Sequence, residues 1–338
     1  MTRSTIEKAV TFFYPFFDAE VNIFFYGGEP LLAFDNIKYA VSLLEEKNRE
    51  GEKKLDFFIT TNGSLVTDEI LHFFDLHNFS ITLSFDGLTQ DFSRKHGSLV
   101  PTHELMQRIR KDSYPGIQLV INSVFSPKTV KHLSESLRYI IESGGTDIEF
   151  YLAEDQYWGE ASLLSLEKEL GRLTGFLVSY YSDKGIFPVT RFRPVGSTPA
   201  RSDERVCQAG RGRMVITPEE TLWGCIQFHD YLKDKEESNE FRDYSFGKLE
   251  DFMRDHETLY PRTLANYSFL KQDFFFTEKQ VCFLCKELEK CFFCPIYAAY
   301  STSFIGKIHS WKCKIKTILN KERKKFFREI NRIKSSSL

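Results

Sequence analysis

Val21-Asn22-Ile23-Phe24-Phe25-Tyr26-Gly27-Gly28-Glu29-Pro30-Leu31 is the stretch on which the fold turns. Residues 21–26, mostly β-branched or aromatic, favour an extended strand. Two glycines then end it and Pro30 redirects the chain. A run so apolar on both parities suits a strand covered on both faces, as in a parallel sheet. The pattern recurs at residues 55–61, 79–85, 116–124 and 147–152, each rich in Phe, Ile, Val or Leu.

Longer segments with a 3.6-residue period separate these strands. Residues 129–143 place Val130, Leu133, Leu137, Ile140 and Ile141 on one face and stop at Gly144-Gly145, a helix and its C-terminal signal. Thr67, followed by Asp68 and Glu69, caps a helix running through Phe74. Residues 162–183 repeat leucine at 163, 166, 170, 173 and 177. Strand–helix alternation of this kind predicts an α/β fold with parallel βα units. The order opens with a helix, striped by Ile6, Val10, Phe13 and Phe17, where a parallel barrel normally opens with a strand.

The pattern breaks near residue 187. Residues 188–204 hold three prolines and read as a linker. All seven cysteines follow it: Cys207, Cys225, Cys282, Cys285, Cys291, Cys294 and Cys313. The expected domains are therefore a partial barrel (1–186), a linker (187–206), a cysteine-rich module (207–313) and a basic tail (314–338). Residues 312–334 carry ten Lys/Arg against two acidic residues, and read as a solvated amphipathic helix docked on the module.

Lys+Arg at 45 nearly balance Asp+Glu at 47, so bulk charge gives no reason to expect a nucleic-acid partner. No apolar run approaches the ~20 residues of a membrane span, and no signal peptide is legible. The expected location is cytoplasmic, where clustered cysteines bind metal more often than they form disulfides. Cys282, Cys285, Cys291 and Cys294 make a C-x2-C-x5-C-x2-C run. Soft thiolates at such spacing suit zinc or iron–sulfur clusters. Spacing alone leaves zinc open, with His229 or His309 as helpers. The 33 phenylalanines, many in pairs, read as core. Glu154, Asp155, Tyr157, Trp158 and Glu160 read as a solvated loop, with substrate contact as the other reading. His72, His77, His96, His103 and His132 show no ligand spacing.

The module resembles the SPASM module of radical S-adenosylmethionine (SAM) enzymes that modify peptides and proteins. The resemblance rests on the cysteine run, on Cys207-Gln208-Ala209-Gly210, on Met214-Val215-Ile216-Thr217-Pro218 and on Cys225. It departs at Glu220, where the family usually has glycine, and in the last x2 spacing, usually x3. The barrel half is similar to the same superfamily. Gly27-Gly28-Glu29-Pro30 matches its GGEP motif, while Thr60-Thr61-Asn62-Gly63 and Ser84-Phe85-Asp86-Gly87 match motifs at later strand ends.

The resemblance implies a partial (β/α)6 TIM-like barrel lacking its first strand, followed by an iron–sulfur module. It implies SAM contacts from Gly27, Gly28, Glu29, Thr60, Asn62, Ser84, Asp86 and Arg94, with Arg94 toward the SAM carboxylate. It assigns one auxiliary [4Fe–4S] cluster to Cys282, Cys285, Cys291 and Cys313, and a second to Cys207, Cys225 and Cys294. The implied reaction cleaves SAM to a 5′-deoxyadenosyl radical that abstracts hydrogen from a peptide or protein, with a flavodoxin or ferredoxin as reductant. The sulfatase-maturing relatives carry aspartate where this chain has Ile226, which disfavours that activity.

The superfamily's C-x3-C-x2-C loop is not in the sequence, whose first cysteine is Cys207. The expectation is a chain truncated before that loop, so that SAM and a third cluster enter only if the loop lies upstream. The alternative is a pseudo-enzyme that binds a substrate or relays electrons through its auxiliary clusters.

Overall fold

Five strands form where the apolar runs predict them: β1 (Glu20–Phe25), β2 (Lys54–Thr61), β3 (Ser80–Ser84), β4 (Gln118–Phe125) and β5 (Ile148–Leu152). They make one parallel sheet in chain order, β1-β2-β3-β4-β5. Sequential order with right-handed crossovers puts every connecting helix on the same face, so the sheet has a covered face and an open one. The computed structural model describes residues 1–110, 114–194, 208–269, 285 and 293–336.

The helices are α1 (Arg3–Phe13), α2 (Phe34–Lys47), α3 (Asp68–Leu76), α4 (Gln90–Ser93), α5 (Leu99–Arg110), α6 (Leu133–Glu142), α7 (Glu160–Lys184), α8 (Ile226–Leu232), α9 (Asn239–Tyr244), α10 (Leu249–Phe269), α11 (Pro295–Thr302) and α12 (Ser310–Ser336). Thr67 caps α3 by accepting from Ile70 N at 3.3 Å, as its sequence signal requires.

The chain divides into two units. One comprises Phe17–Ile37, Glu50–Thr198 and Trp311–Leu338 and holds the parallel sheet. Its strands alternate as a half-covered sheet must. Phe57, Ile59, Ile81, Leu83, Ile121, Phe125, Ile148, Phe150 and Leu152 are buried on the covered face. Phe24, Phe58, Thr60, Thr82, Val120, Asn122, Val124, Glu149 and Tyr151 occupy the open face, half-buried or exposed. Several phenylalanines are therefore not core: Phe24 on this face and Phe92 beyond β3 are exposed.

After α7 the chain returns to the sheet edge. Ile148 N donates to Pro188 O at 2.9 Å and Ile148 bridges Val189 in parallel fashion. Val189 and Phe192 are buried, so residues 188–192, read from sequence as the start of a linker, pack on the sheet edge as a single bridge at Val189 followed by a 3-10 turn (Thr190–Phe192). The expected linker from residue 195 to 206 lies outside the described residues. The basic tail is α12, which docks on this unit. Phe326 packs edge-on against Phe187 and Phe192, Lys321 pairs with Glu167 at 2.6 Å, and Arg323 donates to the carbonyls of Arg191 (3.0 Å) and Arg193 (3.3 Å). Its apolar stripe wins over its charge because Phe326 and Ile330 are almost wholly buried.

The other unit comprises Met1–Phe16, Lys38–Arg49 and Pro199–Ser310. It is built on an antiparallel sheet, β6 (Val215–Ile216), β7 (Thr221–Trp223) and β8 (Ser245–Lys248). The β6–β7 hairpin is the one legible in the sequence; β8 is the addition. Trp223, Phe228, Phe246, Phe252 and Tyr267 form its core with Ala9 of α1. Helix α1, read from sequence with the barrel, thus packs here. Phe12 and Phe13 meet Phe252, Lys8 pairs with Glu250, and Thr5 Oγ1 donates to Glu220.

Glu220 occupies the left-handed region, at φ +64°. The turn dictates this: Glu220 N donates to Thr217 O at 3.0 Å and Leu249 N donates to Glu220 O at 2.8 Å. A glycine here would adopt that φ without strain; the glutamate gains the bond from Thr5 in exchange.

Candidate active site

The carboxyl ends of β1, β2 and β3 carry the polar groups singled out in the sequence, and one carboxylate joins two of them. Glu29 Oε1 accepts from Thr61 Oγ1 at 2.8 Å and from Leu31 N at 3.2 Å, while Oε2 accepts from Asn62 N at 2.9 Å. These bonds hold a carboxylate across two strand ends with lone-pair capacity remaining on Oε2. Gly27 takes φ +155°, and a Cβ on Gly27 or Gly28 would meet nothing within 4 Å. The backbone ahead of Glu29 is open ground that a ligand can approach closely. A half-buried anion beside bare backbone suits an ammonium group with hydrogen-bonding neighbours, which fits the amino-acid end of SAM.

Thr60 and Asn62 divide differently from the expectation that pairs them. Thr60 points to the open face by strand parity, and the neighbouring Thr61 reaches Glu29. Thr61 escaped the sequence reading because two threonines in succession give no parity until the covered face is known. Asn62 is exposed, and its Oδ1 accepts from Ser64 N at 2.8 Å.

Asp86 is 1% exposed. Its Oδ2 accepts from Arg94 Nε at 2.9 Å and from Ser93 Oγ; its Oδ1 accepts from Arg94 Nη2 at 3.2 Å and from Val124 N at 2.8 Å. Gln90 Oε1 accepts from Asp86 N at 2.9 Å. The aspartate is thus committed to protein partners. Its two-point contact fixes the Arg94 plane while leaving the other face of the guanidinium fork, with its remaining N–H groups, to a ligand anion. Ser93 is a positioning group that the motifs did not show. Ser84 is 8% exposed and lies one strand from Asn122 in register.

At the far sheet edge, Arg191 lies over the Phe150 ring at 5.3 Å. Burial pulls its pKa below the usual guanidinium value, against the opposing pull of Tyr151, Glu154 and Glu149. In the loop after β5, Tyr157 is 75% exposed, as a solvated loop requires, but Trp158 is 1% exposed and donates its indole N–H to Ala153 O at 2.9 Å. Trp158 is core, not rim.

In the other unit, Cys225 and Cys294 are half-buried thiols packed against the same aromatic core. Cys225 stands at the N-cap position of α8 and Cys294 at that of α11, neither thiol making a capping hydrogen bond. The chain following Cys207 runs hard against the residue before Cys225: a Cβ on Gly224 would lie 2.5 Å from Gly210 N and 2.8 Å from Tyr267 Cζ. Tyr267 pins that corner, its hydroxyl accepting from Gly224 N at 3.0 Å and donating to Tyr244 O at 2.6 Å. Half-buried thiols are soft ligands of the type a sulfur-bound cluster requires. Cys285 is exposed and Cys313 lies half-buried in α12. Cys207, Cys282 and Cys291 lie outside the described residues, among which no three His, Cys, Asp or Glu side chains gather as a metal site. His309 Nε2 is 2.9 Å from Ser301 O, and His229 Nδ1 3.2 Å from Asp230 Oδ1.

Residues 3–140 match the family model of the Radical SAM superfamily. That stretch, which includes β1 to β4 and the residues around Glu29 and Asp86, is similar to the radical SAM domain. The radical SAM cyclopropyl synthase TigE of Paramaledivibacter caminithermalis is 27% identical over 138 residues, covering 39% of this chain and 27% of TigE. The match thus spans little more than a quarter of that relative. The structure of anSMEcpe with bound AdoMet superposes with a TM-score of 0.75 at 18% identity, over 99% of this chain and 87% of that one. SuiB of Streptococcus suis bound to S-adenosylmethionine gives 0.55 at 16% identity, over 92% and 69%. Both proteins have also been solved with peptides, Kp18Cys for anSMEcpe and the precursor SuiA for SuiB. At such identities these likenesses establish the shared fold. No helix among the described residues is long and apolar enough to cross a membrane.

Proposed function

We propose that this chain is the SAM-binding and auxiliary-cluster part of a cytoplasmic radical SAM enzyme that modifies a peptide or protein. The observation that carries the reading is the fixed Glu29 carboxylate, with Oε2 capacity to spare beside the bare Gly27–Gly28 backbone. Glu29 would take the SAM ammonium group, and Arg94, held flat by Asp86, its carboxylate. Gly27, Gly28, Thr60, Asn62 and Ser84 would line the same cofactor.

SAM held at a reduced [4Fe–4S] cluster would supply radical chemistry, taking a hydrogen atom from the substrate. The protein's part is to orient SAM and keep water from the open face. That cluster needs a C-x3-C-x2-C loop, which residues 1–338 do not contain, so the activity belongs to a polypeptide that includes one. Cys225 and Cys294, with Cys207, would hold one auxiliary cluster; Cys282, Cys285, Cys291 and Cys313 would hold the other. A peptide substrate is supported by the peptides bound to anSMEcpe and SuiB. Ile226, in place of the sulfatase-maturing aspartate, speaks against formation of that enzyme's product. A flavodoxin or ferredoxin would deliver the electron.

The test is iron, sulfide and zinc per chain after anaerobic reconstitution, with S-adenosylmethionine binding by calorimetry for wild type and Glu29→Gln. Iron and sulfide sufficient for two clusters, with SAM binding lost in the variant, support the reading. Zinc in place of iron, or SAM binding indifferent to Glu29, overturns it.

A further inference from the structure

On the open face of the sheet, Asn122 carries a buried polar atom that the described residues leave unused. On β4 that face reads Val120, Asn122, Val124. In register, Asn122 stands between Ser84 of β3 and Glu149 of β5. Its Oδ1 is closed to solvent and has no hydrogen-bond partner among the described residues.

An orphaned buried amide oxygen costs more than a made hydrogen bond gains, and asparagine is disfavoured in strands. A third valine would fill the position at no such cost. Unsatisfied groups of this kind call for an explanation. The surroundings narrow it. Glu149, the neighbour on β5, already accepts from Tyr151 Oη at 2.8 Å, and its carboxylate is an acceptor by nature. Toward the strand starts, the stacked rings of Phe24 and Phe58 (4.6 Å between centroids) give the same face an apolar floor. The fitting partner has an N–H and a C=O in one plane and needs no charge. That partner is a peptide group.

We propose that Asn122 holds a backbone peptide group of the substrate: Oδ1 accepts its N–H, Nδ2 donates to a carbonyl, and Glu149 lies beside the pair. The terminal torsion of asparagine is soft and two-fold, so the oxygen turns to the open face when a donor arrives. Such recognition reads no side chain; it sets the height of the substrate backbone relative to the strand ends where Glu29 and Arg94 stand. This inference rests on the peptide-modifying reading above.

The experiment uses the 15N-labelled 338-residue chain and the side-chain NH2 resonances of Asn122 and Asn62, assigned through N122V and N62A. N-acetylglycine N-methylamide is the probe for the peptide group and S-adenosylmethionine the probe for the cofactor. The expected result is a saturable shift of the Asn122 pair with the blocked glycine and of the Asn62 pair with SAM. N122V should unfold at the same urea midpoint as wild type or a higher one. An Asn122 pair unmoved by the blocked glycine up to its solubility limit overturns the inference. So does an Asn122 pair moved by SAM, which would give the amide to the cofactor. A lowered midpoint or failure to fold in N122V makes the residue structural and also overturns it. An Asn62 pair indifferent to SAM counts against the cofactor site alone, and is read independently of Asn122.

Discussion

Replacing Asp86 by asparagine tests the internal support of the proposed cofactor site. The carboxylate accepts four bonds, two from Arg94, one from Ser93 and one from Val124 N. An asparagine retains one oxygen. Whichever way the amide turns, its NH2 faces either the Val124 N–H or the Arg94–Ser93 donors. Breaking a buried pair costs roughly 3–5 kcal/mol. Arg94 keeps 26% of its side chain exposed, so water recovers part of that loss and the lower end, about 3 kcal/mol, is expected. Arg94→Gln should cost a similar amount by stranding the carboxylate. The double variant should cost less than the sum, with a coupling of about 2 kcal/mol for groups in direct contact. Urea unfolding followed by fluorescence gives the energies; Trp158, buried in the same unit, is a suitable reporter. Calorimetry with S-adenosylmethionine gives the functional half: both single variants should weaken binding. Coupling below about 0.5 kcal/mol, the scatter of independent sites, would refute the account of Asp86 as the residue that fixes Arg94. So would an Asp86→Asn chain that binds SAM like wild type.

Three further outcomes follow from the other unit. Glu220→Gly removes left-handed strain of about 1–2 kcal/mol and loses a charge-assisted bond from Thr5 worth about 1.5–3, so it should be near neutral. Glu220→Ala keeps the strain and loses the bond, and should melt below the glycine variant in a thermal scan. Gly224→Ala forces a methyl into Gly210 N and Tyr267 Cζ; it should lose about 1–3 kcal/mol as an overpacked site and bind less iron on reconstitution. The Lys8–Glu250 pair sets a pH dependence. Its hydrogen bond holds the Glu250 carboxyl below the usual carboxylate range and raises the Lys8 ammonium above its own. The pair's contribution is therefore present above the ordinary carboxylate pKa of about 4.3, and is lost as pH falls through the lowered value. The stability difference between wild type and Lys8→Met should be flat from about pH 6 to 9 and vanish in acid. It should also shrink in high salt, because both groups are exposed.

The strands, their order and the residues at their carboxyl ends are legible in short stretches of sequence. Those features are local: a run of apolar residues, a Gly-Gly-Glu-Pro stop, a threonine cap. Each is decided within about ten residues by sterics and burial. The seven cysteines also fall in one region, a fact of chain position alone. Which threonine meets Glu29 depends on long-range packing, because Thr60 and Thr61 differ by parity, and parity is fixed by which face the helices cover. The same holds for Asp86, whose motif points to a ligand while its burial commits it to Arg94, Ser93 and Val124. Helix α1 and the basic α12 show the limit most plainly. Their apolar stripes promise that each docks somewhere, but hydrophobic burial is non-directional. Phe12 and Phe13 found the Phe252 wall, and Phe326 found Phe187 and Phe192, through contacts more than a hundred residues away in the chain.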